Sequence, residues 1–198
     1  MTIGNFVEIE SYIEPPISRR EIARYAGGKE CDELSALIDS CLSEALPQLS
    51  YRVCRRTFQI KLAENVIDMG FARVHSADLA KNLTACNEMI LFAATIGIGI
   101  DRLISKYSKL SPAKALVMQA IGAERIEALC NLFCRDLENS GLILHPRFSP
   151  GYGDLPLEFQ KDIFAILDCN RKIGLTLSRS MLMSPTKSVT AIVGIENR

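Results

Sequence analysis

Histidine is nearly missing from this chain: only His75 and His145 occur in 198 residues. There is no CxxC pair, and the seven cysteines are odd in number and scattered. A tetrahedral zinc site or a disulfide framework is therefore disfavoured, and no metal ligands are assigned. Reduced, buried cysteines in a cytoplasmic protein are the expectation. Net charge is also missing, since 23 Lys and Arg balance 23 Asp and Glu. No basic excess points to nucleic acid, and no acidic tail suggests a solvating segment. Long apolar runs are absent too. The longest, Met89 to Ile100, has twelve residues, and crossing a bilayer takes about 20. The N-terminus lacks the basic start and apolar core of a signal peptide. No P-loop, GxGxxG or GxSxG occurs, and Gly97-Ile98-Gly99 lacks the third glycine of a dinucleotide fingerprint. No nucleophile–base pair is visible, so no catalytic residues are assigned.

What remains is an ordinary globular composition, 48% apolar and 23% charged, without repeats or linkers. One domain over residues 1–198 is expected, with residues 1–50 as its helical N-terminal part. Residues 1–17 read as extended, turning at Pro15-Pro16. Ser18 and Glu21 have capping-box spacing and predict a helix that stops at Gly27-Gly28. A second helix runs from Asp32 to Leu46 on an apolar face of Leu34, Leu37, Ile38, Cys41, Leu42 and Ala45. Phe58, Ile60 and Leu62 alternate as in a half-buried strand. Val66 to Val74 is a weaker strand signal, broken by Gly70, and Ser76 caps a short helix. Glu88 to Ile96 predicts a central strand buried on both faces. A helix follows the glycines at 97 and 99. Ser111-Pro112 opens the clearest helix, to about Glu138, with Leu116, Ala120, Ala123, Glu127, Cys130, Cys134 and Leu137 near one face. Pro156 begins another, with Phe159, Ile163, Ile166 and Leu167 inward. Ile173 to Leu177 and Met181 to Met183 read as strand pieces. Ser184-Pro185-Thr186-Lys187 is a turn, and Ser188 to Ile195 alternates, so the C-terminal part reads as a β-hairpin. The fold class is α+β, a mainly antiparallel sheet with helices packed around it.

Chemistry concentrates in His145-Pro146-Arg147-Phe148-Ser149-Pro150-Gly151-Tyr152-Gly153-Asp154-Leu155-Pro156. Three prolines and two glycines exclude regular helix or central strand, leaving a shaped loop. Arg147 suits a carboxylate or phosphate. Tyr152 offers a ring face and a hydroxyl. Gly151 permits close approach to the backbone. Glu127 is a carboxylate on an otherwise apolar stripe and needs a partner or a ligand. Two readings stand: a ligand-binding loop, or a loop pinned by an Arg147–Glu127 pair. Cys130 and Cys134 read as core, His145 as structural, and Arg52, Arg55 and Arg56 as a solvated strand face.

Arg147-Phe148-Ser149-Pro150-Gly151-Tyr152, followed by Pro156 and a helix, resembles the S-adenosylmethionine-binding loop of the activation domain of cobalamin-dependent methionine synthase, R-x-x-P-G-Y-x-x-x-P. In the right order, Leu177-Ser178-Arg179-Ser180-Met181-Leu182-Met183-Ser184-Pro185 and then Ser188-Val189 is similar to that family's L-T-E-S-x-x-M-x-P-x-x-S-V segment. Arg179 stands where the family usually has glutamate. Ala93 to Gly97 and Gly122 to Ala128 resemble short standalone relatives. The resemblance implies S-adenosylmethionine as ligand, with Arg147 holding the methionyl carboxylate and Ser149, Gly151 and Tyr152 lining the molecule. Glu127 would meet the ammonium. It also implies a cobalamin-binding methionine synthase or corrinoid protein as partner, with the cobalamin on the partner only, and a flavodoxin-like electron donor. A chain starting at its own methionine would act in trans. An alternative is a docking protein for a corrinoid protein without any adenosyl ligand. An unrelated enzyme using the loop for another carboxylate substrate ranks last.

Overall fold

The computed structural model describes residues 6–28 and 31–196. Its elements in chain order are β1 (Glu8–Tyr12), α1 (Arg19–Tyr25), α2 (Asp32–Ala45), β2 (Tyr51–Gln59), β3 (Lys61–Ala63), β4 (Val66–Asp68), β5 (Arg73–His75), α3 (Ala77–Asn82), β6 (Cys86–Thr95), α4 (Gly99–Leu110), α5 (Pro112–Asn139), α6 (Gln160–Leu167), α7 (Cys169–Ile173), β7 (Thr176–Leu177), β8 (Met183–Ser184) and β9 (Ser188–Glu196). The main sheet has the order β1-β2-β6-β9 and is antiparallel throughout. This is the α+β class expected from the sequence.

The strand β6 shows why the sheet lies between two helical layers. Ile90, Phe92 and Ala94 enter one core, which contains residues of α1, α2, α4 and α5. Met89, Leu91 and Ala93 enter the other, which contains residues of α3, α6 and α7. Successive strand side chains point to opposite faces, so an unbroken apolar run is buried on both. Each fully buried side chain of this size contributes about 1.5–3 kcal/mol. The Phe92 and Phe133 rings, 4.8 Å apart, tie β6 to α5.

Serine caps mark three of the helix starts. Ser18 accepts from the Glu21 N–H, Ser76 from that of Leu79 and Ser111 from that of Lys114. The capping box at Ser18 is only half made. Glu21 turns outward to Arg24, and Glu124 Oε1 accepts the Ser18 N–H instead, at 2.9 Å. That long-range substitution comes from α5, where Arg125 is fully buried. Its guanidinium donates to Glu124 and to the carbonyls of Pro15 (2.6 Å) and Pro16 (2.7 Å). The Pro15-Pro16 turn is therefore clamped to the long helix.

Four expectations need correction. β2 runs from Tyr51 to Gln59, earlier than the Phe58–Leu62 alternation indicates, because Arg52, Arg55 and Arg56 hide the strand signal, and Leu62 belongs to β3 of a second sheet. Those arginines are half-buried, and Arg55 bridges Glu8 (2.5 Å) and Glu10 (2.6 Å) of β1. Ile173 closes the helix α7, and only Thr176–Leu177 are strand. The C-terminal hairpin is β7 with β8 alone; β9 leaves it to pair with β6, because its Ala191, Val193 and Ile195 complete the core over α5. Leu116 of α5 is 52% exposed, and burial spreads around the helix over Val117, Met118, Ile121 and Ile126 as well. Gly97 and Gly99 serve packing: a Cβ on Gly99 would stand 2.1 Å from the Gln48 carbonyl oxygen, and one on Gly97 2.5 Å from Ser50 Oγ.

Candidate functional site

The proline-rich stretch is an irregular fifth strand followed by a turn. Its first part lies along the open edge of β9. His145 N–H donates to Gly194 O, and Phe148 and Ile192 exchange bonds of 2.9 and 2.8 Å. Phe148 packs into the core on the α6 side. Arg147, next to it, reaches the neighbouring α5. Its Nη2 donates to Glu127 Oε2 and its Nη1 to Asn131 Oδ1, both at 2.9 Å. Glu127 and Asn131 are four residues apart and share one helix face.

The turn that follows is Ser149-Pro150-Gly151-Tyr152. The Tyr152 N–H donates to Ser149 O at 3.1 Å, and Gly151 has φ of 89°. Proline second and a positive-φ glycine third are what a type II turn requires. Beyond it, Asp154 caps the start of α3, accepting from Ser76 Oγ and from the N–H groups of Ala77 and Asp78. The loop is thus fixed at both ends, to β9 and to α3.

Two cavities of about 390 Å³ flank the Arg147–Glu127 pair, and both residues line each of them. One lies towards α1 and adds Ser18, Glu21, Tyr25 and Glu124. The other lies under the loop and adds Ser149, Tyr152, Gln160, Met183, Ser188 and Thr190. Arg147, Ser149, Tyr152 and Glu127 therefore meet at one cavity. Gly151 does not line it, and its N–H is spent within the loop on Leu155 O at 2.9 Å. Met183 on β8 and Ser188 at the start of β9 come from the second sequence motif and reach the same cavity. Gln160 and Asn131 were missed, because each is a polar residue inside an ordinary helical pattern.

The sulfur chemistry beneath is inert. Cys130 lies wholly buried under the pair, and desolvation pushes its thiol up to about 12; burial also raises Cys134. His145 is structural, its ring Nδ1 within hydrogen-bond distance of Asn82 O. Arg179, in the β7–β8 turn, is exposed and lines neither cavity. No described helix is long and apolar enough to cross a membrane.

The chain thus folds as a four-stranded antiparallel sheet between two helical layers, with a clamped loop along its last strand. Among solved structures the chain is similar to the crystal structure of the MetH reactivation domain bound to AdoHcy, with a TM-score of 0.65 and 16% identity, over 96% of this chain and 78% of that one. The chain has that fold. No protein-family model matches it, and no curated protein matches it significantly.

Proposed function

We propose that this chain binds S-adenosylmethionine and serves, in trans, the reductive reactivation of a cobalamin-dependent methionine synthase or a related corrinoid methyltransferase. The observation that carries the reading is the convergence of Arg147, Glu127, Ser149 and Tyr152 on one cavity under the loop. Arg147 has a planar five-donor fork, of which the protein uses two bonds. It retains donors for a ligand carboxylate. Glu127 beside it supplies the opposite charge for an ammonium. A zwitterionic amino-acid head fits such a pair, and the similar reactivation domain was crystallised with a ligand that carries one. Tyr152 is 69% exposed, so its ring is available as a face for a planar base or a sulfonium.

S-adenosylmethionine supplies an activated methyl group. A cobalamin on the partner protein would take up that methyl group together with one electron, and S-adenosylhomocysteine would be the leaving group, held by Arg147 and Glu127. The cobalamin belongs to the partner, and the electron to a flavodoxin-like donor. In this reading Arg147 and Glu127 hold the amino-acid head.

A ligand-free docking protein is the second reading, and one observation favours it: Arg147 is already paired with Glu127. The cavity on each side of that pair favours the first. Calorimetric titration with S-adenosylmethionine separates them. Arg147→Ala should weaken binding about 10- to 100-fold, as expected for losing a charged hydrogen-bond donor. Equal affinity in wild type and variant overturns the assignment.

A further inference from the structure

Gln160 opens α6, immediately after the tight turn Leu157–Phe159 that follows Pro156. It is only 6% exposed, and its Oε1 has no hydrogen-bond partner among the described residues. Native proteins leave few such groups unpaired, because a lone buried acceptor costs about 1–3 kcal/mol. Gln160 also forms part of the wall of the cavity under the loop. Ser188 and Arg147, also on that wall, already have partners. Ser188 Oγ bonds Thr95 Oγ1 and Pro185 O, each at 2.8 Å, and Arg147 bonds Glu127 and Asn131. The carboxamide is the buried polar group on this wall whose acceptor the protein leaves unused.

We infer that Gln160 is a specificity-determining residue that reads the adenine edge of the bound ligand. A primary amide presents an acceptor and a donor side by side. Adenine presents an amino group beside a ring nitrogen, and glutamine meets such an edge with two bonds. Arg147 and Glu127 take the amino-acid head, which leaves Gln160 for the base. The inference rests on the proposed S-adenosylmethionine-binding function and names the group that selects the base.

The test uses the full chain, S-adenosylhomocysteine, and its purine analogue lacking the exocyclic amine, compared by calorimetry. Wild type should prefer the adenine compound about tenfold, the loss expected for one hydrogen bond to a buried group. Gln160→Leu should abolish that preference, while Arg147→Ala weakens both compounds equally and keeps it. A preference unchanged in Gln160→Leu overturns the role of Gln160 and leaves the ligand assignment standing. Failure of wild type to bind either compound overturns both. If Gln160→Leu does not fold, Gln160→Met keeps the side-chain length and decides in the same way.

Discussion

Arg147 and Glu127 meet at 2.9 Å on the ridge between two cavities, and both stay partly in solvent, with side chains 26% and 44% exposed. An ion pair so exposed is screened and contributes less than about 1 kcal/mol. Glu127→Gln should therefore shift the urea midpoint very little while weakening binding of an ammonium-bearing ligand. A stability loss of several kcal/mol would instead make the pair a structural pin, as the ligand-free docking reading requires.

Arg125 is the opposite case. It is fully buried, and its partners are Glu124 and two backbone carbonyls. Removing one member strands the other charge in the core. Arg125→Ala should cost about 3–5 kcal/mol, read from guanidinium denaturation. Proteolysis near Pro15-Pro16 should accelerate in the same variant, since the clamp on that turn is lost.

Asp154 links the loop to acid stability. Its hydrogen bond from Ser76, followed by those from backbone N–H groups, holds its carboxyl below the ordinary 3.8. A carboxyl depressed on folding stabilises above its unfolded value and loses that contribution as pH falls through the folded one. The stability gap between wild type and Asp154→Asn should be full at pH 6 and shrink below about 3.8. Denaturation series across that range measure it. A gap independent of pH would show that the ionised cap contributes nothing.

Gly99 should tolerate no side chain. The atom it would meet, at 2.1 Å, is a backbone carbonyl oxygen that has no rotamer to change. Gly99→Ala should cost about 1–3 kcal/mol and lower Tm by several degrees. Gly70, with φ of 78° and open space around it, is the control. Its alanine variant should carry only the left-handed backbone penalty, about 1–2 kcal/mol.

Much of the scaffold was legible because its signals are local. Serine caps lie beside the helices they start, and the apolar run of β6 states its double burial in consecutive residues. The arginines of β2 concealed half a strand, since their stems are half-buried while their charges read as surface. The helix α7 was hidden by its five-residue length, too short for a periodic signal.

The site divides in the same way. From residue order came the loop with Arg147, Gly151, Tyr152 and Glu127 as candidates, and Ser149 came from the family resemblance; the type II turn came from the structure. The sequence could also state that Glu127 needs a partner, because a carboxylate on an apolar stripe is costly wherever it lies. That Glu127 does meet Arg147, the partner the sequence offered, and that Met183, Ser188 and Gln160 share the cavity, required the pairing of β9 with β6 and the strapping of residues 143–148 along the edge of β9. Those contacts join segments far apart in the chain, and their geometry is set by the packing of two cores against one sheet. Caps and periodicity carry no record of that distance. The buried, unpartnered oxygen of Gln160 is likewise a property of its surroundings, which only the folded chain supplies.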